Sequence, residues 1–159
     1  MRFHLIDRIT ELQPGKLLRA YKNLALGEEY LADHFPGFPV MPGVLMLQTL
    51  VEAGSWLLRI TDDYAHSVIV LREVKNVKYG TFMEPGKRMQ LCVELVEQND
   101  AVCTCKGKGD VGGQSTVTAK FTLGRYNLKE RDPALASSDE QRVQELRRHA
   151  RLLLAKGAA

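Results

Sequence analysis

The stretch PGVLMLQTLVEAGSWLLRI, residues 42–60, decides the fold. It has no internal proline, and Pro42 stands where a first helical residue is preorganised, because its missing N–H has no intrahelical partner anyway. Val44, Leu45, Leu47, Leu50, Val51, Ala53, Trp56, Leu57 and Leu58 surround nearly the whole circumference of such a helix. A helix this apolar has to be buried on most sides. In a chain of 159 residues, long enough for one domain, the natural cover is a sheet that curls around it.

The flanking sequence supplies that sheet. Residues 3–9 form a short apolar run before a Pro14-Gly15 turn, and residues 17–26 alternate loosely as a strand. Beyond the helix, residues 67–71 and 74–79 have extended character. Residues 89–96 place Leu91, Val93 and Leu95 on one face. Asn99-Asp100 and Gly112-Gly113 punctuate further strands over 101–109 and 115–123. The expected fold class is α+β, an antiparallel sheet wrapped around one long helix. After Gly124 the chain reads as a polar linker through Ser137. A second, amphipathic helix then follows, with Ser138 and Gln141 at capping-box spacing and Val143, Leu146, Ala150 and Leu153 on one stripe. The expected organisation is a domain over 1–124 and a linker with a basic helix over 125–159.

Composition narrows the class. At 45% hydrophobic and 26% charged residues the chain can build a core without disulfides. Cys92, Cys103 and Cys105 lack the paired spacing of a zinc site. They read as reduced side chains packed in a sheet, in a cytoplasmic setting. The N-terminus MRFHLIDRIT has no signal-like apolar region, and Gln48, Glu52 and Arg59 interrupt the most apolar stretch, so no membrane span is expected. Residues 1–124 carry 14 basic and 14 acidic side chains, and residues 125–159 carry 8 and 5. The whole excess of +3 therefore sits in the tail, a balance that suits a solvated helix or an acidic partner and not nucleic acid.

The chemistry concentrates in HFPGFPVMPGVLMLQ, residues 34–48. His34 lies in a loop stiffened by Pro36, Pro39 and Pro42, with Phe35 beside it, and imidazole is the usual general base near neutral pH. The helix opens at Pro42-Gly43, so the first backbone N–H groups lack partners and can stabilise an oxygen that gains negative charge. The apolar helix, from Val44 onward, offers walls for an acyl chain. A base and an oxyanion donor are what proton removal alpha to a thioester carbonyl requires. A lone histidine in a Pro/Gly loop is usually a hydrogen-bonded turn residue; the whole string carries the reading.

That string, H-F-P-G-x-P-V-M-P-G-V-L, resembles the signature of the 3-hydroxyacyl-[acyl-carrier-protein] dehydratases. Similarity continues through Leu5-Ile6-Asp7-Arg8-Ile9, Leu18-Arg19-Ala20, Lys22-Asn23, Val77-Lys78-Tyr79 and Glu84-Pro85-Gly86, covering about residues 1–124. The resemblance implies a hotdog fold, a homodimer or higher assembly of dimers, and no cofactor. It implies a hydro-lyase that converts a (3R)-hydroxyacyl-[acyl-carrier-protein] to a trans-2-enoyl thioester in fatty acid biosynthesis, with coenzyme A as the other possible carrier. In that family the histidine, here His34, acts as base. The glycine amide, here Gly43, binds the thioester oxygen, with Phe35, Pro42 and Val44 around it. A carboxylate fourteen residues after the histidine, supplied by the partner subunit, handles the hydroxyl.

Here that position is Gln48, which holds no transferable proton near neutral pH. Glu52 stands one turn further on, where the family commonly has glutamine, so the two residue types look exchanged. Glu52 is therefore a candidate for the same pocket, against a plain pairing with Arg59, Arg19 or another cation, or simple exposure to solvent. Two alternatives accompany the dehydratase. One is thioester hydrolysis, with Gln48 orienting a water and Glu52 activating it. The other is a non-catalytic acyl-binding partner of a second hotdog chain. An acidic carrier protein would find cations in the tail helix or at Lys75, Lys78, Lys87 and Arg88.

Overall fold

The structure is a computed structural model and describes residues 4–154; Phe3, which opens the first apolar run, and the last five residues of the tail lie outside them. Six antiparallel strands, β1 (Arg8–Gln13), β2 (Leu17–Asn23), β3 (Val68–Tyr79), β4 (Arg88–Gln98), β5 (Val102–Val111) and β6 (Gln114–Tyr126), form one sheet in the order β1-β2-β4-β5-β6-β3. Helix α1 (Gly43–Thr61) packs across the inner faces of β2, β4, β5 and β6. This is the α+β hotdog arrangement that the sequence pattern implies.

Burial follows the two periodicities. On the sheet, Leu18, Ala20, Met89, Leu91, Val93, Cys103, Cys105, Phe121 and Leu123 alternate onto the buried face. On α1, Leu50, Ala53, Leu57 and Leu58 meet them. Each fully buried leucine is worth roughly 1.5–3 kcal/mol, so this interface dominates stability. Cys103 and Cys105 are free thiols two residues apart on one buried face, and burial raises both pKa values, Cys105 to about 12.

α1 is less enclosed than its composition suggests. Val44 is 69% exposed, and Gln48, one turn on, is exposed with it. Apolarity on all sides therefore marks two different surfaces: one against this chain's own sheet, and one facing outward near the helix start.

The extended stretches 67–71 and 74–79 form one strand, β3, whose pairing with β6 slips between Leu71 and Glu73 and again between Lys75 and Lys78. Asn76 takes φ 54 at the second slip, a conformation asparagine tolerates better than most residues. These bulges interrupt the alternation, which is why the sequence reads less regularly there. The start of the second helix is corrected. This helix, α2 (Ala136–Leu153), starts before Ser138, so Ser138-x-x-Gln141 is not its cap. Short 3-10 turns at Leu128–Glu130 and Pro133–Leu135 lead straight into it, and the first carries the real capping box, Asn127 with Glu130. The stretch before α2 is ordered structure, not a polar linker.

Asp139 holds that junction. It is 5% exposed and accepts hydrogen bonds from the Ser67 hydroxyl and from the N–H groups of Leu128 and Lys129, at 2.9 Å each. Arg147 reaches the end of α1, donating to the Asp63 carboxylate and carbonyl at 2.8 Å while its guanidinium lies over Tyr64. Ala150 and Leu153 are buried, and Leu154 bridges to Ile9 of β1. α2 thus docks on its own domain, beside the C-terminal half of α1. No helix among the described residues is long and apolar enough to cross a membrane.

Candidate active site

The loop before α1 is anchored at both ends. Lys22, 5% exposed, donates to Glu28 at 2.6 Å, and the Tyr30 hydroxyl donates to the same carboxylate at 2.7 Å. Although burial pushes Glu28 upward, these donors outweigh it and hold its pKa down. At the far end, the Met41 N–H donates to the Met83 carbonyl at 2.9 Å. Between these anchors the Phe38 N–H turns back to the Phe35 carbonyl at 2.9 Å, and the Val40 N–H to the His34 carbonyl at 3.2 Å. Prolines at 36 and 39 cannot donate, so the loop closes through the remaining amides.

His34 is gripped by this closure. Its Nδ1 lies 3.0 Å from the Val40 carbonyl, which can only accept. Nδ1 therefore carries the proton and Nε2 presents a lone pair. The ring leans on Phe35, with centroids 4.4 Å apart, and is itself half-buried.

His34, Gly43, Met46, Tyr79 and Thr116 line one narrow cleft of about 80 Å³. The helix starts against it: the Leu45 and Met46 N–H groups both turn to the Pro42 carbonyl, while those of Gly43 and Val44 have no protein acceptor among the described residues. A Cβ on Gly43 would stand 3.0 Å from the Tyr79 ring, so a side chain there would displace the tyrosine. Gly80 is equally constrained, since a Cβ would fall 2.2 Å from the Ser115 carbonyl oxygen. Glycine at 43 lets the end of β3 approach the helix start, and glycine at 80 lets the chain pass close to β6, and together they shape the cleft.

The other sequence candidates divide. Pro42 adjoins the cleft as the residue capping α1. Phe35, Val44 and Gln48 face outward, and Phe35, Phe38, Val44, Tyr79 and Phe82 make an apolar rim, each about half exposed or more. Glu52 does not share the cleft. Its carboxylate accepts the Leu5 N–H at 2.9 Å and the Trp56 indole, and it lines a different cavity, against α2. The one-turn advance from Gln48 rotates Glu52 away from the helix start and under the N-terminal segment. Burial raises its pKa, opposed by the Leu5 hydrogen bond. The plain pairing expected with Arg19 also differs, because Arg19 binds Glu11 at 3.1 Å. Sequence reasoning missed Tyr79, Gly80 and Thr116 as cleft residues. The only available signal was Tyr79-Gly80 closing an extended run, and its approach to the helix is a tertiary fact.

The architecture and the position of the cleft define a hotdog-fold protein. The chain belongs to the family of FabA-like domains, whose model matches residues 1–120. It is 36% identical over 119 residues to a 3-hydroxyacyl-[acyl-carrier-protein] dehydratase FabZ of Clostridium acetobutylicum, covering 75% of this chain and 84% of that one. It is 37% identical over 121 residues to the FabZ of Myxococcus xanthus, covering 75% and 79%. Among solved structures, the dehydratase heterocomplex ApeI:P of Xenorhabdus doucetiae shares the fold at a TM-score of 0.66 and 14% identity, covering 84% of this chain and 90% of that one. α2 lies beyond the family match.

Proposed function

We propose that this chain dehydrates 3-hydroxyacyl thioesters of acyl carrier protein in fatty acid biosynthesis, with His34 and the start of α1 as its working parts. The chain is a hydro-lyase of the FabZ type, a reading its relatives at 31–37% identity support. The observation that supports the site is the hold on His34: the Val40 carbonyl keeps the proton on Nδ1 and leaves Nε2 free, in a residue that lines the same cleft as Gly43 at the start of α1. The reaction belongs to residues 1–124, in a cytoplasmic protein.

In this reading Nε2 takes the proton from C2 of the thioester. The electron pair moves onto the thioester oxygen, where the Gly43 N–H stabilises it. It then returns as the C2=C3 double bond while the C3–O bond breaks. The imidazolium gives its proton to the departing hydroxyl, so that water leaves and the base is restored. Phe35, Pro42 and Val44 border the acyl group.

Gln48 takes the place of the family's usual carboxylate and points outward beside Val44. A second copy seated on the rim of Phe35, Phe38, Val44 and Phe82 would present its Gln48 to the facing cleft, where the amide donates to the substrate hydroxyl. The expected assembly is a homodimer or a higher assembly of dimers. Because an amide supplies hydrogen bonds and no proton, Gln48→Glu is expected to raise the rate by roughly 10²-fold, the lower end of what acid–base assistance provides. Sedimentation and enoyl formation measured on the same preparation test both statements. A monomer with full activity would contradict the shared site.

Gln48 also favours one second reading, an acyl-binding subunit that pairs with a homologue bearing the carboxylate. Inertness of the pure chain, with activity restored by such a homologue, would select it.

A further inference from the structure

The largest chemical anomaly lies at the other end of α1. Where α2 crosses α1, a cavity of about 370 Å³ is lined by His4, Glu52, Trp56, Arg59, Arg142 and His149. One wall is a flat stack. The His149 ring lies 5.4 Å from Trp56 at 11°, and the His4 ring lies 4.4 Å from His149 at 22°. The Arg59 guanidinium lies over the Trp56 ring, 5.6 Å from its centroid.

The charges in this cavity are incompletely matched. Arg59 Nε and His149 Nε2 are buried with no hydrogen-bond partner. Neither Arg59 nor Arg142 has a carboxylate within salt-bridge distance among the described residues, although α2 brings the two guanidinium groups together. Their mutual repulsion follows burial as the second cause lowering the Arg59 pKa, to about 10. Glu52 offsets part of the Arg59 charge from a distance, while its carboxyl oxygens accept the Leu5 N–H and the indole and make no ion pair with either guanidinium. Glu145 stands on the α2 side of the cavity. Two forked donors facing one space, with the buried Nε–H of Arg59 left unmet, form a receptor for an oxyanion.

We propose that the α1–α2 cavity binds the phosphate or carboxylate group of a small molecule, with Arg59 and Arg142 as its two forks and the Trp56–His149–His4 stack as its flat wall. Three of its residues, Glu52, Trp56 and Arg59, lie on α1, the helix whose start borders the cleft of His34. The site is independent of the dehydratase reading, because the residues of α2 that complete it fall outside the family match at 1–120.

Trp56 is the only tryptophan of the chain, so its fluorescence reports on this cavity alone. The intact protein is titrated near neutral pH with potassium phosphate and separately with sodium acetate, at constant ionic strength set by chloride. A saturable change is expected with at least one anion. Phosphate alone identifies a phosphoryl ligand, acetate alone a carboxylate, and both an undiscriminating oxyanion site. Arg142 is exposed, so Arg142→Gln leaves folding intact. It should weaken binding roughly tenfold or more, the effect of losing one charge-assisted partner. Arg148→Gln makes the same change of charge on an exposed residue of α2 outside the cavity, and should leave binding unchanged. No saturable change with either anion, or equal weakening by both variants, would overturn the proposal.

Discussion

The imidazole of His34 is held by the carbonyl of Val40, six residues along the same loop, at 3.0 Å from Nδ1. This contact sets the tautomer, aims Nε2 and depends on a closure that only a proline-stiffened loop of this length provides. If the imidazole is the base, His34→Ala should lower kcat/KM for the 3-hydroxyacyl thioester by roughly 10²–10⁴-fold with no change in thermal midpoint. Rates and melting curves measured side by side check this. A variant that melts early would point to a structural histidine.

Gly43 meets the Tyr79 ring where a Cβ would stand, at 3.0 Å. Gly43→Ala should therefore push the ring aside, distort the helix start and cut activity. Tyr79→Ala in the same chain frees the space and should restore part of it, a coupling that a double-mutant cycle reads directly. Strictly additive losses would mean the two positions act separately.

Glu52 anchors the N-terminal segment through the Leu5 N–H, and the expected role of its carboxyl is that contact and not proton transfer. Glu52→Ala leaves the Leu5 N–H without its acceptor and should cost about 1–3 kcal/mol. Glu52→Gln keeps an acceptor and removes a charge that burial opposes, so its stability should stay near that of the parent. Neither should change kcat of the folded protein. Loss of kcat in Glu52→Gln at unchanged stability would restore the exchanged-residue reading.

The cavity under α2 also gives stability a pH dependence. Burial, then the His4 ring, lowers the His149 pKa in the folded chain, while the unfolded chain takes up a proton near 6.5. The contribution of neutral His149 is thus complete above about pH 6.5 and is lost as pH falls through the lowered folded value. Glu52, raised by burial, acts in the opposite sense, since folding favours its protonated form. The other charged groups facing the ring are Arg59, Arg142 and Glu145. Because these remain in both proteins, the comparison with His149→Gln isolates the histidine. Between about pH 7.5 and 5.5 the urea midpoint of the parent should fall further than that of the variant. Parallel profiles would contradict the assignment.

Much of this was legible in the sequence, for reasons that differ by element. α1 announced itself as a proline-free apolar run opened by Pro42, and β4–β6 because burial imposes a period of 2 and their turns carry Asn-Asp or Gly-Gly. β3 reads less regularly because its bulges at Arg72 and Asn76 break that period. The start of α2 was misplaced because its anchor, Asp139, lies inside the helix and binds residues far away in sequence, Ser67 among them. In the site, His34 and Gly43 were visible as a motif. The Tyr79 contact, the outward turn of Val44 and the departure of Glu52 to another cavity depend on how helix and sheet are set against each other, which no local pattern encodes.

The central claim is that a histidine facing the first amides of α1 removes water, and not the carrier, from a 3-hydroxyacyl thioester. The most direct measurement gives the pure protein and its His34→Ala variant a 3-hydroxyacyl-[acyl-carrier-protein] and follows alkene and free thiol together. The parent should form enoyl thioester without releasing thiol, and the variant should form neither. Thiol release by the parent, or alkene formed equally by both, would contradict the account.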